Sequence, residues 1–167
     1  MTLSAGSTEH RNEATATQAP SPLMLVPMEA AYLPALTDLV LTAEQRAAVA
    51  TPHTLVNQAE NEGCRVMVIK RHDRPVGMFG YAAEGPHGVH LFDLQIALTD
   101  QNQGIGCWAL RTFVQHLKEE TETQQIRLRV PKSNLVAAAF FVSEGFRVTL
   151  PPQNSQDTAW HMVLNLT

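Results

Sequence analysis

An α/β fold is what this sequence predicts, on three observations. Seven short segments read as strands, four stretches carry apolar residues at helical spacing, and one glycine-rich hexapeptide joins a strand to a helix. Strand and helix signals alternate along the chain without an internal repeat, so a single layered domain is expected from residue 22 to residue 167.

The first 21 residues, MTLSAGSTEHRNEATATQAPS, hold hardly any large apolar side chains and cannot offset the entropy of ordering, so they are read as a disordered tail. Leu23 to Val26 form the first strand. A helix is expected from Leu33, with Pro34 tolerated in its first turn and Leu33, Leu36 and Val40 as its buried stripe. Thr51 and Pro52 break the chain before a second helix, His53 to Glu62, which Gly63 caps. Cys64 to Lys70 and Pro75 to Ala83 read as a hairpin around RHDR, and Val89 to Leu98 as the next strand. After the glycines comes a helix with Leu110, Phe113, Val114 and Leu117 inside and Arg111, Gln115, Lys118 and Glu119 outside. Ile126, Leu128 and Val130 alternate with Arg127 and Arg129 in a strand, Asn134 starts an apolar helix, and Phe146 to Leu150 and Ala159 to Leu166 close the sheet.

Composition narrows the function classes. At 167 residues, 44% hydrophobic and 17% charged, the chain is ordinary for one soluble domain. Its net charge is −4 and its longest basic run is Lys70 with Arg71, which argues against nucleic acid, while an amine would not be repelled. No apolar run approaches a membrane span, no secretory leader is legible, and Cys64 and Cys107 make a poor disulfide framework, so a cytoplasmic location is expected. His87 and His90 would point to opposite faces of a strand and have no fitting third ligand, so no metal is expected.

The hexapeptide is Gln101 to Gly106, QNQGIG. Glycines there let a backbone approach a ligand closely, and the helix behind presents unsatisfied N–H groups and a positive dipole end, a natural seat for a pyrophosphate. A Walker loop is excluded because Cys107 and Trp108 follow Gly106 in place of Lys and Ser or Thr. A dinucleotide fingerprint lacks its third glycine, since position 109 is Ala. About thirty residues on comes LRVPKSN, Leu128 to Asn134, running through LVAAAFFVSEGF to Phe146, a pattern LxVxxxNxxAxxxF followed by GF.

Together the two motifs resemble the GNAT superfamily of acyl-CoA-dependent N-acyltransferases, and the resemblance extends over roughly Leu23 to Leu166. It implies an α/β (α+β) fold: a mixed, mostly antiparallel sheet of six to seven strands splayed around a coenzyme A site, flanked by about four helices. Pantetheine would fill the gap between the strands ending at Leu98 and Val130, and the first two helices would line the acceptor side. The cofactor implied is acetyl-CoA, held by Ile96, Leu98, Gln101, Asn102, Gln103, Gly104, Ile105, Gly106, Cys107, Asn134 and Phe141. The Ile96 N–H would be the oxyanion donor. His90 is the expected base, since an alkyl ammonium of pKa ~10 must lose a proton before attack; Asp93 is the reserve, on the opposite face unless a bulge intervenes.

Two departures from the family pattern stand out. Phe141 occupies a position where many members have a tyrosine whose hydroxyl protonates the leaving thiolate; Ser143 or Tyr32 would have to substitute. Gln101 stands where arginine is more usual, so the loop carries no cation of its own, and Arg111 or Lys132 would assist. Asn134 would serve also as a helix cap. Cys107, in the first turn of the loop helix, is where a thiol pKa could fall, making an acyl-cysteine conceivable. Trp160 and His161 could face either core or acceptor. The expected partners are acetyl-CoA and an amine, with no nucleic acid and no membrane. No long acidic or basic docking surface is legible, which favours a small-molecule acceptor, with a protein N-terminus as an alternative. A non-catalytic acyl-CoA-binding module is the other reading. Monomer and homodimer are both open, with Ala159 to Leu166 as an edge strand that could pair with a second copy.

Overall fold

The computed structural model describes residues 22–149 and 156–166. The tail expected over residues 1–21 lies outside them. A seven-stranded sheet runs in the order β1-β2-β3-β4-β5-β7-β6, built from β1 (Leu23–Pro27), β2 (Arg65–Arg71), β3 (Arg74–Glu84), β4 (Gly88–Ile96), β5 (Gln125–Pro131), β6 (Arg147–Val148) and β7 (Ala159–Asn165). Every neighbouring pair is antiparallel except β4 with β5. Helices α1 (Leu33–Thr37), α2 (Ala43–Ala48) and α3 (Pro52–Glu62) belong to one face of the sheet, and α4 (Ile105–Glu120) and α5 (Leu135–Ser143) to the other.

Each face is sealed by the alternation that the strands carry. Leu36 of α1 and Leu55 of α3 pack with Val66, Val68 and Met78 on one side. On the other, Leu110, Phe113 and Leu117 of α4 and Phe141 of α5 pack with Phe79, Val89, Leu91, Ile126, Leu128 and Val130. Burying a large apolar side chain stabilises by about 1.5–3 kcal/mol, so these two layers dominate the fold's favourable terms.

Several local expectations change. The first helix ends at Thr37, so Val40 is not part of its stripe and is 56% exposed. A separate helix, α2, follows; Thr42 and Gln45 form a reciprocal capping box at its start. The strand expected to reach Leu98 ends at Ile96, and Leu98 to Asp100 form a 3-10 turn. The proposed edge strand is not an edge along its middle, because β6 covers Met162 and Val163 of β7. Gly63 does cap α3 in the left-handed region, with φ 71°.

The junction of β4 and β5 organises the site. Only three pairs join them, Gly88 with Gln125, Val89 with Ile126 and His90 with Arg127. Beyond His90 the two strands part, leaving two rows of backbone groups facing a gap.

Candidate active site

The sheet forks at His90, and a narrow slot of ≈ 170 Å³ runs along the opening, between Asp93 and Leu94 of β4, Leu128 to Pro131 of β5, and Asn134 and Phe141 of α5. Its shape suits an unbranched chain. A bulge opposite Phe79 bends β4 at this point, because Phe92 pairs with Gly80 whereas Gln95 already pairs with Met78. Glycine is what admits the bend. A Cβ on Gly80 would lie 2.2 Å from the Phe92 ring, and one on Gly77 would lie 2.4 Å from the Gln95 carbonyl oxygen.

At the bulge Asp93 takes a left-handed φ of 56°, tolerable for Asp though unusual for most side chains. The extra residue brings its carboxylate round to the face of α1 to α3, where Oδ1 accepts from the Ala50 N–H at 3.2 Å. Gln95, buried, donates from Nε2 to the Ala50 carbonyl at 3.3 Å. One residue of the α2–α3 connection is thus held by both its backbone groups. His90 and Asp93 therefore face one slot, contrary to simple alternation. Burial pushes the His90 imidazole below its ordinary 6.5, with Arg129 and His161 pulling the same way against Glu84 and Asp93. Burial raises Asp93 above its ordinary value, against the Ala50 hydrogen bond and His90. At neutral pH the imidazole is thus poised as a neutral acceptor of protons.

A main-chain donor points into the gap. The Ala97 N–H donates to the Val76 carbonyl at 2.8 Å, so the neighbouring pair, Ile96 with Gly77, directs its backbone groups away from β3 by the antiparallel alternation. The Ile96 N–H then faces the side from which β5 has withdrawn. The Ile96 side chain meanwhile packs against Ile69, Val76, Ile105 and Ala109.

The glycine loop lies at the far end of β4. Gly104 is the left-handed N-cap of α4, with φ 75°, and Asn102 is also left-handed, with φ 59°. The first intrahelical bond runs from the Trp108 N–H to the Gly104 carbonyl at 2.9 Å, so the amides of Gly104, Ile105, Gly106 and Cys107 have no helical acceptor. A Cβ on Gly106 would stand 3.5 Å from the Phe140 ring of α5, which ties this helix end to the α5 side of the slot. Gln101 points inward: Nε2 donates to the Ile96 carbonyl at 2.8 Å and to Gln45 Oε1 at 2.7 Å, so it fastens the loop to β4 and to the cap of α2. Gln103 donates to the Thr99 carbonyl at 3.1 Å and accepts from Arg71. The Leu98 N–H donates to the Val40 carbonyl at 2.7 Å, and the Leu98 side chain is exposed.

Sequence reading missed what steadies this loop. Asp100, only 3% exposed, accepts from Arg74 at 3.1 Å and Arg71 at 3.5 Å and from the Thr99 hydroxyl at 3.1 Å. A buried carboxylate is costly unless paired, so this residue commits the turn to the β2–β3 hairpin. The basic residues beside the loop are consequently Arg71 and Arg74. Arg111 also stands by the helix start, lining a surface hollow with Gly104 and Cys107 while pairing with Glu144 at 3.0 Å, and the Lys132 ammonium sits over the Trp160 ring.

Other expectations are corrected by their surroundings. The Cys107 thiol is raised, chiefly by its hydrogen bond with Glu144, so the helix terminus does not activate it. The Ser143 hydroxyl donates to the Phe140 carbonyl and Tyr32 packs beneath Lys70, and neither lines the slot. Asn134 is the cap foreseen for α5, its Oδ1 accepting from the Ala137 N–H at 3.1 Å, and it lines the slot. Phe141 lines the slot as well, edge-on to Phe140 and Phe146. No cluster of three or more metal-ligating side chains occurs among the described residues, and no helix among them is long and apolar enough to cross a membrane.

Solved structures share this fold. An acetyltransferase from Thermus thermophilus has a TM-score of 0.70 at 23% identity, over 86% of this chain and 96% of that one. The ribosomal-protein-S18-alanine N-acetyltransferase from Escherichia coli gives 0.67 at 18% identity, over 87% and 94%. A spermidine N-acetyltransferase from Vibrio cholerae, in complex with CoA and spermine, gives 0.68 at 14% identity, over 87% and 96%. No curated protein matches the chain. Residues 31–146 match the acetyltransferase (GNAT) family, and on that match the chain belongs to it.

Proposed function

We propose that the protein is an N-acetyltransferase that moves an acetyl group from acetyl-CoA to the primary amine of a small molecule by direct attack in a ternary complex. The observation that carries this reading is the fork at His90, where the slot along β4 meets a second, wider hollow lined by the same histidine. Acetyl-CoA would lie with its diphosphate on the amides of Gly104, Ile105, Gly106 and Cys107 and its pantetheine in the slot beside Asn134 and Phe141. The ammonium gives a proton to His90, directly or through water; its nitrogen forms the new C–N bond, the C–S bond breaks, the CoA thiolate leaves, and the second proton lost from nitrogen passes to solvent. Charge developing on the carbonyl oxygen would be met by the Ile96 N–H. A thiolate of pKa ~8.5 departs acceptably without a general acid, which suits the phenyl ring of Phe141. With Cys64 and Cys107 unpaired, a reducing cytoplasm is the fitting location.

The test is acetyl transfer to a broad amine panel, read as CoA release, with His90→Ala as control. Silence with every acceptor would overturn it. Phe141 favours one second reading, a module that binds acyl-CoA without turnover, and calorimetric binding of acetyl-CoA with no CoA release would select that reading.

A further inference from the structure

The hollow beside His90 has a volume of ≈ 520 Å³, within the usual range for a small-molecule site. Strand register builds its floor. His90 pairs with Arg127, Arg127 with Val163 and Val163 with Arg147, so these four residues form one row across β4, β5, β7 and β6. Arg129 and His161 form the next row. Because Val89 and Ile126 pack under α4, both rows belong to the opposite face, and among the described residues no helix covers that face over β5, β7 and β6.

The cations are unequally employed. Arg129 donates to Asp157 at 3.1 Å, and Asp157 also bonds His161, so this trio is satisfied internally. Arg127 donates at 3.1 Å to the neutral amide oxygen of Gln125, and neither it nor Arg147 meets a carboxylate among the described residues. Among the described residues Glu84 is the one carboxylate lining the hollow. Two uncompensated guanidiniums thus flank the approach to His90 in a chain whose net charge is −4. That arrangement repels a polycation and matches a carboxylate in planar, bidentate fashion.

Resting on the transferase reading, we infer that the acceptor is an amine that also carries a carboxylate, in the class of amino acids, with its amine at His90 and its carboxylate on Arg127 and Arg147. The arginines orient the acceptor and take no part in proton or acyl transfer. Neighbouring strands lie roughly 4.8 Å apart, so a carboxylate on Arg127 sits a few bonds from an amine at His90, the separation found within one amino acid.

The experiment compares matched acceptors, each amino acid against its amide, with spermidine as the polycation, in wild type, Arg127→Gln, Arg147→Gln and Arg127→Lys. For the wild type the acid is expected to exceed its amide by about tenfold or more in kcat/KM, the size of one charge-assisted contact. In the two glutamine variants that ratio should collapse toward one, through KM more than kcat, with partial recovery in Arg127→Lys; melting temperature, read alongside, reports on folding because both arginines are at the surface. Equal or better use of spermidine and amides, insensitive to either variant, overturns the inference and leaves the transferase reading standing. If no acceptor turns over, calorimetry with CoA bound decides: amino-acid binding that Arg127→Gln abolishes keeps the inference and removes the transferase reading, and no binding removes both.

Discussion

The two sides of the fork are built from different atoms. On the proposed cofactor side the groups that would meet a ligand are main-chain amides, at Gly104 to Cys107 and at Ile96, and their directions follow from helix geometry and strand pairing. On the proposed acceptor side they are side chains, His90, Arg127 and Arg147, set in one row from three strands. Backbone recognition survives replacement of nearly every side chain around it, which fits folds that superpose at 14 to 23% identity. Side-chain recognition does not, and that is where one relative's acceptor ceases to inform another's.

Substitutions can break this contrast, beginning with the strongest. His90→Ala should lower kcat/KM by about 10²–10⁴, the usual contribution of a positioned base, with acetyl-CoA affinity preserved by calorimetry. Burial lowers the His90 pKa, so the acid limb of the wild-type kcat/KM profile should fall below pH ~6.5, the unperturbed value. The same shift makes the unfolded chain take up this proton first. Its share of stability is therefore lost as pH falls from 6.5 through the folded value.

Gly106→Glu attacks the backbone side with a charge. The new Cβ meets Phe140 at ordinary contact distance, and replacing a helical glycine gains about 0.5–1 kcal/mol, so melting should not suffer. Acetyl-CoA affinity, by contrast, should weaken by about 100-fold or more from like-charge repulsion. Asp100→Asn loosens the loop without touching a ligand. Since Arg71 and Arg74 remain partly solvated, the cost should be about 1–2 kcal/mol, below that of a fully buried pair. For a chain of this size that lowers the melting temperature by roughly 2–8 °C.

Phe141→Tyr supplies the hydroxyl this position lacks, and kcat should rise by no more than about 100-fold, the low end of acid catalysis; an unchanged kcat would mean that thiolate departure is not limiting. Asp93→Asn is expected to do least. Asparagine tolerates the left-handed backbone and can still accept from Ala50. The raised Asp93 pKa means its stabilising share is present below 3.8 and lost as pH rises through the folded value. The variant should therefore melt no lower than wild type at pH 7, and a large loss of turnover would move the base from His90 to Asp93.

What the sequence made legible was contiguous. QNQGIG, the alternation of Gln125 to Pro131 and the Asn134 cap lie each within a few residues, where local geometry decides. The missed features join distant segments. Cys107 meets Glu144, Asp100 meets Arg71 and Arg74, and Arg127 meets Arg147 only through the register of β7. Two local signals were available and unused. Thr42 and Gln45 announce the capping box of α2, and Gly77 and Gly80 within a strand announce the bulge that turns Asp93. Val40 falls outside α1 because helical spacing in sequence does not say where a helix stops.

Past His90, β4 and β5 present an interior seam, two strand edges enclosed within one sheet. The block β5-β7-β6 is consequently joined to the remainder by three backbone pairs and by the packing of α4 and α5. A guest lying along the seam would close the sheet as a stitch closes cloth, so occupancy should slow amide hydrogen exchange at Arg129 and Val130 far more than in the distant β1–β2 pair.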